Sequence, residues 1–240
     1  MCNTLSQGHR DNRLLAALSA EALGSLERDL RQVSLQHGTV IFEPGAPMDR
    51  VYFPQSGLIS LLVITEDGTS IETATIGWEG ALGLHRALGP RFSFTRAAVQ
   101  IGGRFSVIRG DRFEQVAGNN LAIHALVGGY TELLWAEAQQ VAACNVVHDA
   151  SSRLCRWLLQ TSDRIQSSSV PLTQEFLAQM LGVRRTTVTL LAQAMQRRGL
   201  IRYSRGLIEI LDRESLQGCA CECYRVTRLD RLPRAVGVKL

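Results

Sequence analysis

The chain has 240 residues, of which 45% are hydrophobic and 20% charged, and it carries a formal net charge of +4. This composition excludes an intrinsically disordered chain, and the length favours two modest cores over one large one. No apolar run approaches the ~18 residues of a membrane helix, and the opening MCNTLSQGHRDNRLL lacks the apolar stretch of a secretory signal, so a cytoplasmic protein without membrane contact is expected.

Residues 14 to 31, LLAALSAEALGSLERDLR, repeat apolar positions at three and four with charges between them, which predicts one or two short amphipathic helices within an N-terminal segment 1–30. From Gly38 the texture changes to short segments rich in β-branched and aromatic residues: TVIFEPG, RVYFPQSG, LISLLVIT, TSIETATIG and AAVQIGG. Glycines punctuate them at turn positions, and Asp67-Gly68 is a strong hairpin signal. An antiparallel β-domain of barrel or jelly-roll type is expected over 31–111.

A long helix is predicted over 112–147. Its centre, LAIHALVGGYTELLWAEAQQVAA, is apolar over so much of its surface that it needs more than one packing partner. Leu126, Tyr130, Leu133, Leu134 and Val141 are read as the seam of a two-fold dimer. A second helix, DASSRLCRWLLQTSDRI, follows; His148 at the boundary is assigned no role.

The charge is divided unevenly. Residues 1–148 contain 11 Lys+Arg and 14 Asp+Glu, giving −3, whereas residues 149–240 contain 15 and 8, giving +7. The basic half fits a polyanion-binding module over 148–225. Within it, Thr173 precedes QEFLAQML as a natural N-cap, Gly182 supplies the turn, and a second helix opens at about Arg184. Ala178 fills the small contact position, and Leu177, Leu181, Val183, Val188 and Leu191 fill the apolar ones, so the segment reads as a helix-turn-helix.

Adjacent arginines at a helix N-terminus repel each other and face the positive end of the backbone dipole, so folding gives no reason to choose them. An outside anion does. Arg184, Arg185, Thr186, Thr187 and Thr189 are expected to point outward from the first turns of a recognition helix, where arginine bridges guanine O6 and N7 and threonine contacts bases or phosphate. GLIRYSRGLIEIL reads as a hairpin wing with Arg205 at its tip and Arg202 near its base. Thr173 and Glu175 complete the candidate DNA contacts.

The six cysteines are too few and too scattered to resemble a secreted disulfide framework. Cys219, Cys221 and Cys223 form the one cluster, and C-x-C-x-C could hold a soft metal or sense oxidants. With no histidine nearby in sequence and structural zinc wanting four ligands, they are read as small packing residues, and no metal or cofactor is expected. Residues 226–240 form a C-terminal tail.

The order of parts resembles the Crp/Fnr family of bacterial transcription regulators over nearly the whole chain. LTQEFLAQMLGVRRTTVTLLAQAMQRRGLI is similar to the family's DNA-binding stretch, and FEPGAPMDRVYFPQSGLISL to its β-roll. The resemblance implies an α+β protein: a cyclic-nucleotide-binding-like β-roll, a long dimerisation helix and a winged helix-turn-helix. It implies a homodimer on an inverted repeat of double-stranded DNA, with RNA polymerase as a partner if the protein activates, and no enzymatic activity. It places Arg185 where the family commonly reads guanine and Thr173 where a threonine contacts phosphate. Two departures bear on specificity: Thr186 stands where the catabolite activator type has glutamate, and Leu190 replaces a second base-contacting arginine.

In the sensor, the family's cyclic-AMP binders share a Gly-Glu-Leu cassette followed by Arg-Ser-Ala. Here the run is Gly80-Ala81-Leu82, without the ribose-binding carboxylate, and Ser93, Thr95 or Arg96 falls near the phosphate-binding position. Losing a charged partner worth about 1.5–3 kcal/mol argues against a response to cyclic AMP. The family's iron-sulfur members use a cysteine group at the N-terminus, where this chain has only Cys2; His85 and His124 are the haem-ligand candidates and read as ordinary histidines. A β-domain that merely supports dimerisation of a ligand-independent or architectural DNA-binding protein is the alternative.

Overall fold

The computed structural model describes residues 8–89 and 91–226. Helices α1 (Arg13–Ala17) and α2 (Ala20–Glu27) come first, followed by strands β1 (Arg31–Leu35), β2 (Val40–Phe42), β3 (Arg50–Pro54), β4 (Leu58–Ile64) and β5 (Ser70–Ile76). A 3-10 turn, Leu84–Leu88, leads to β6 (Arg96–Ile101) and β7 (Gly103–Arg109). Two sheets result, of order β1-β7-β3 and β2-β6-β4-β5. The strand alternation explains the layering: Phe105 and Val107 of β7 join Phe42, Met48, Ile59 and Ile76 in one cluster, while Ile108 joins the other, formed with α1 and α2. Asn12, fully buried, caps α1 with its side-chain oxygen and donates through Nδ2 to the carbonyls of Pro54 and Gly80, both at 2.8 Å.

The single helix expected over 112–147 is two. α3 (Gly110–Gly118) stops at Asn119, and α4 (Leu121–Val147) restarts with Asn120 Oδ1 accepting from the amides of Ala122 and Ile123. Asparagine favours such caps because its short side chain satisfies the exposed amides of a first turn. Two of the five residues read as a dimer seam are turned into the chain itself. Leu126 and Tyr130 lie buried in the chain's own core with Phe53 and Phe113, and Leu133 and Leu134 pack half-buried against it. Val141 is half-buried. The face of α4 left open carries instead Leu121, Trp135 and Val146, exposed at 89%, 65% and 87%.

The described residues divide into two compact units, one of residues 8–61 and 75–136, the other of 62–74 and 137–226. In the second unit, α5 (Ala150–Ile165) is capped by Asp149 and precedes β8 (Ser169–Pro171), α6 (Gln174–Leu181) and α7 (Arg185–Arg197). The hairpin β9 (Ile201–Ser204) and β10 (Leu207–Ile210), then α8 (Arg213–Cys219) and α9 (Cys223–Val226), complete it; the small sheet has order β8-β10-β9. Two buried polar links hold this unit: Arg164 Nη2 donates to both oxygens of Glu137 at 2.7 and 2.8 Å, and Trp157 Nε1 donates to Glu72 at 2.8 Å. The tail over 226–240, apart from Val226, lies outside the described residues, as does Cys2.

Candidate nucleic-acid interface

The helix-turn-helix forms where local chemistry placed it. Thr173 caps α6, its hydroxyl accepting from the Phe176 amide at 3.2 Å. Gly182 ends α6 at φ +62, a left-handed conformation that glycine adopts without a β-carbon clash, and Arg184 stands at the N-cap of α7. Leu177, Ala178, Leu181 and Val188 are buried where α6 and α7 meet.

Arg184, Arg185 and Thr186 are exposed, as the spacing required. α7 has no acidic residue in its first turn and Arg184 makes no side-chain cap bond, so nothing within the helix offsets the two cations at its positive end. The one ion pair of Arg185 among the described residues is with Glu175 at 4.0 Å, both side chains being largely exposed. Burial pushes the Tyr203 hydroxyl up in pKa, and the Arg185 charge nearby opposes that shift. Thr187 is half-buried rather than outward. Thr189 differs most: its Oγ1 donates to Gln174 at 3.0 Å and to the Arg185 carbonyl at 3.1 Å, so it joins α7 to α6. Leu190, 65% exposed, lies one turn beyond Thr186 on the same face. Gly68, Thr69 and Ser70 of the β4–β5 turn, within the same unit, line a groove with Gly182, Arg184 and Arg185.

The wing is a tight hairpin in which Ser204 pairs Leu207 across the loop Arg205-Gly206. Both loop residues have positive φ, 49° and 77°, the pattern of a type I′ turn. Arg205 is exposed at the tip. Arg202 instead donates to Glu209 directly across the strand at 2.9 Å, which neutralises it within the wing.

The sensor residues separate. Gly80 lies against the Tyr130 ring, so that a β-carbon there would collide with the Tyr130 hydroxyl. Ala81 and Leu82 are buried in different clusters, and Leu82 exchanges both backbone hydrogen bonds with Tyr52. Arg96 reaches Glu43 through Nε at 2.8 Å and Nη2 at 3.0 Å, and Thr95 is half-buried, its carbonyl accepting from Ser93. Away from both sites, the fold brings Cys144 and His148 to Cys221 and Cys223, a histidine that the separation in sequence hid.

Residues 32–120 match the cyclic nucleotide-binding domain model and residues 152–219 the Crp-like helix-turn-helix domain model. The chain belongs to the Crp/Fnr family. These are transcription regulators rather than enzymes. Solved structures agree on the fold. FixK2 from Bradyrhizobium japonicum superimposes with a TM-score of 0.70 at 16% identity, over 80% of this chain and 98% of that one. The c-di-GMP-responsive global regulator CLP of Xanthomonas campestris gives 0.64 at 16% identity, over 81% and 100%. A Crp/Fnr-family transcriptional regulator of Thermus thermophilus gives 0.61 at 23% identity, over 79% and 98%. No curated protein matches the sequence. Among the described residues no helix is long and apolar enough to cross a membrane.

Proposed function

We propose that this Crp/Fnr regulator acts in the cytoplasm as a homodimer that reads an inverted repeat of double-stranded DNA and does not respond to cyclic AMP. The observation that carries the reading is the exposed Arg184–Arg185 doublet at the start of α7, at the position where a recognition helix meets base edges. Among the described residues no acidic residue stands in the helix's first turn, and the one ion pair is a long, exposed contact of Arg185 with Glu175. Arg205 adds to it: a non-glycine residue at φ 49 costs about 1–2 kcal/mol in backbone strain, so folding alone disfavours arginine at the wing tip and a phosphate contact favours it.

The second copy is the occupant of the open face of α4. Leu121, Ala125, Glu132, Trp135, Gln139, Ala142 and Val146, with half-buried Gly128, recur at alternating steps of four and three, the spacing of a two-helix seam. Cyclic AMP is disfavoured on two grounds: buried Ala81 offers no carboxylate to a ribose, and the Arg96 guanidinium already holds Glu43 bidentately. The Tyr130 ring against Gly80 favours the related reading, in which the β-roll supports dimerisation without a ligand. RNA polymerase is the further partner if the protein activates transcription.

Footprinting of the full chain on captured genomic fragments, with and without micromolar cyclic AMP, tests this. A two-fold symmetric footprint unchanged by the nucleotide is expected. A footprint that appears only with cyclic AMP, or protection without symmetry, contradicts it.

A further inference from the structure

Four potential ligand atoms from distant parts of the sequence converge in the second unit. The Sγ atoms of Cys144, Cys221 and Cys223 and a ring nitrogen of His148 all lie within 4.8 Å of one another. Cys144 and His148 are one helical turn apart at the end of α4, and the His148 amide still donates to the Cys144 carbonyl at 3.1 Å. Cys221 lies between α8 and α9, and Cys223 opens α9. All three cysteines are buried.

We propose that Cys144, His148, Cys221 and Cys223 form a tetrahedral site for a thiophilic divalent metal, zinc by preference, that fastens the α8–α9 segment to the end of α4. The four atoms lie close enough to close on one ion with small side-chain adjustments, and two of their separations already match a coordination sphere. With Zn–S of about 2.3 Å and Zn–N of about 2.0 Å, tetrahedral geometry sets ligand atoms roughly 3.5–3.8 Å apart. Cys144 Sγ stands 3.6 Å from Cys221 Sγ, and Cys223 Sγ stands 3.7 Å from His148 Nδ1. The Cys144–Cys221 separation is far beyond the roughly 2.05 Å of a disulfide.

The surroundings match the donor set. His148 presents Nδ1 to the thiols while its Nε2 hydrogen-bonds Glu222 at 3.2 Å, the carboxylate support that fixes the tautomer and orientation of a metal-binding imidazole. Gln140 Nε2 donates to Cys223 Sγ at 3.0 Å, a contact that favours a thiolate. Three thiolates and one neutral imidazole around a divalent ion leave one net negative charge. Buried Arg156 acts electrostatically on both Cys144 and Cys221 with the sign that favours thiolates. On binding, the three thiols release their protons to solvent. Cys219 stands apart, bonded by Arg198 Nη2 at 3.0 Å, and is not a ligand.

The full-length protein, purified without chelator under reducing conditions, is to be assayed for zinc by mass spectrometry. The metal-stripped chain is to be titrated with Co²⁺. About one zinc per chain is expected, retained in Cys219→Ser and lost to background in Cys221→Ser and Cys223→Ser. Co²⁺ is expected to bind at about one equivalent, with thiolate charge-transfer absorption and the intense visible bands of a tetrahedral centre. Stripping the metal should lower the melting temperature, and added Zn²⁺ should restore it. If the cysteine variants fail to fold, the Co²⁺ spectrum of the unaltered chain decides alone. A folded chain that carries no zinc and gives no tetrahedral cobalt spectrum overturns the proposal. So does a Cys144–Cys221 disulfide as the stable form under reducing conditions, or equal metal loss in Cys219→Ser.

Discussion

Arg185→Ala separates folding from recognition because the two respond with opposite sign. In the free protein Arg185 occupies the first turn of α7, where a cation is disfavoured by about 0.3–1 kcal/mol. Its pair with Glu175 at 4.0 Å is between exposed side chains, and such pairs contribute about 0–1 kcal/mol, near the bottom of that range at this separation. Alanine is at least as good a helix former as arginine. The net is a small gain in stability, a few tenths of a kcal/mol. On DNA the proposed role of Arg185 predicts that the variant loses a bidentate guanine contact of about 1–3 kcal/mol, or roughly 5- to 150-fold in affinity for the preferred site. Urea denaturation read beside binding isotherms on the selected operator and on its single-base variants measures both. Preference should flatten at one position of each half-site. Lower stability, or an equal loss on every sequence, would refute the reasoning, the latter moving Arg185 to a phosphate.

Two further substitutions test the scaffold that presents the interface. Asp149→Ala should cost about 0.5–2 kcal/mol at neutral pH, because the carboxylate caps α5 through the amides of Ser151 and Ser152. Its pKa is held below the ordinary aspartate range, chiefly by the Ser152 hydroxyl and then by the backbone amides. The stabilisation is therefore present above the unfolded pKa and lost as pH falls through the folded one, so the gap between the two proteins in urea melts should close below about pH 4. Glu137→Gln should destabilise the second unit by about 3–5 kcal/mol, since it leaves the buried Arg164 charge without its carboxylate; an unchanged urea midpoint would show that the pair contributes little.

The features legible in the sequence are those set by neighbours in the chain. Thr173 before QEFLAQML, Gly182 at the turn and Gly206 in the wing are short-range choices of backbone conformation, and each stands where its residue type requires. The Asn119-Asn120 break carried the same kind of signal, a capping residue before a helix, but lay inside a segment whose apolar content masked it. Which stripe of α4 stays open was not legible for a different reason. Apolar residues stand on both sides of α4, Leu126 and Tyr130 on one and Leu121, Trp135 and Val146 on the other, and only tertiary packing decides which stripe the chain keeps for itself. Thr189 needed the position of Gln174, fifteen residues away, and Arg202 needed the register that sets it opposite Glu209. The cysteine cluster is the extreme case: Cys144 and Cys221 are 77 residues apart, and His148, an ordinary boundary residue by its place in the sequence, becomes conspicuous only beside them.

Selection of duplexes from a randomised library by the full-length protein tests the central claim most directly. An enriched inverted repeat is predicted, with half-site centres about 10–10.5 base pairs apart and a guanine lost from the consensus when Arg185 is replaced by alanine. No enriched sequence, or the same consensus from the Arg185→Ala protein, would contradict the assignment of α7 as the helix that reads DNA.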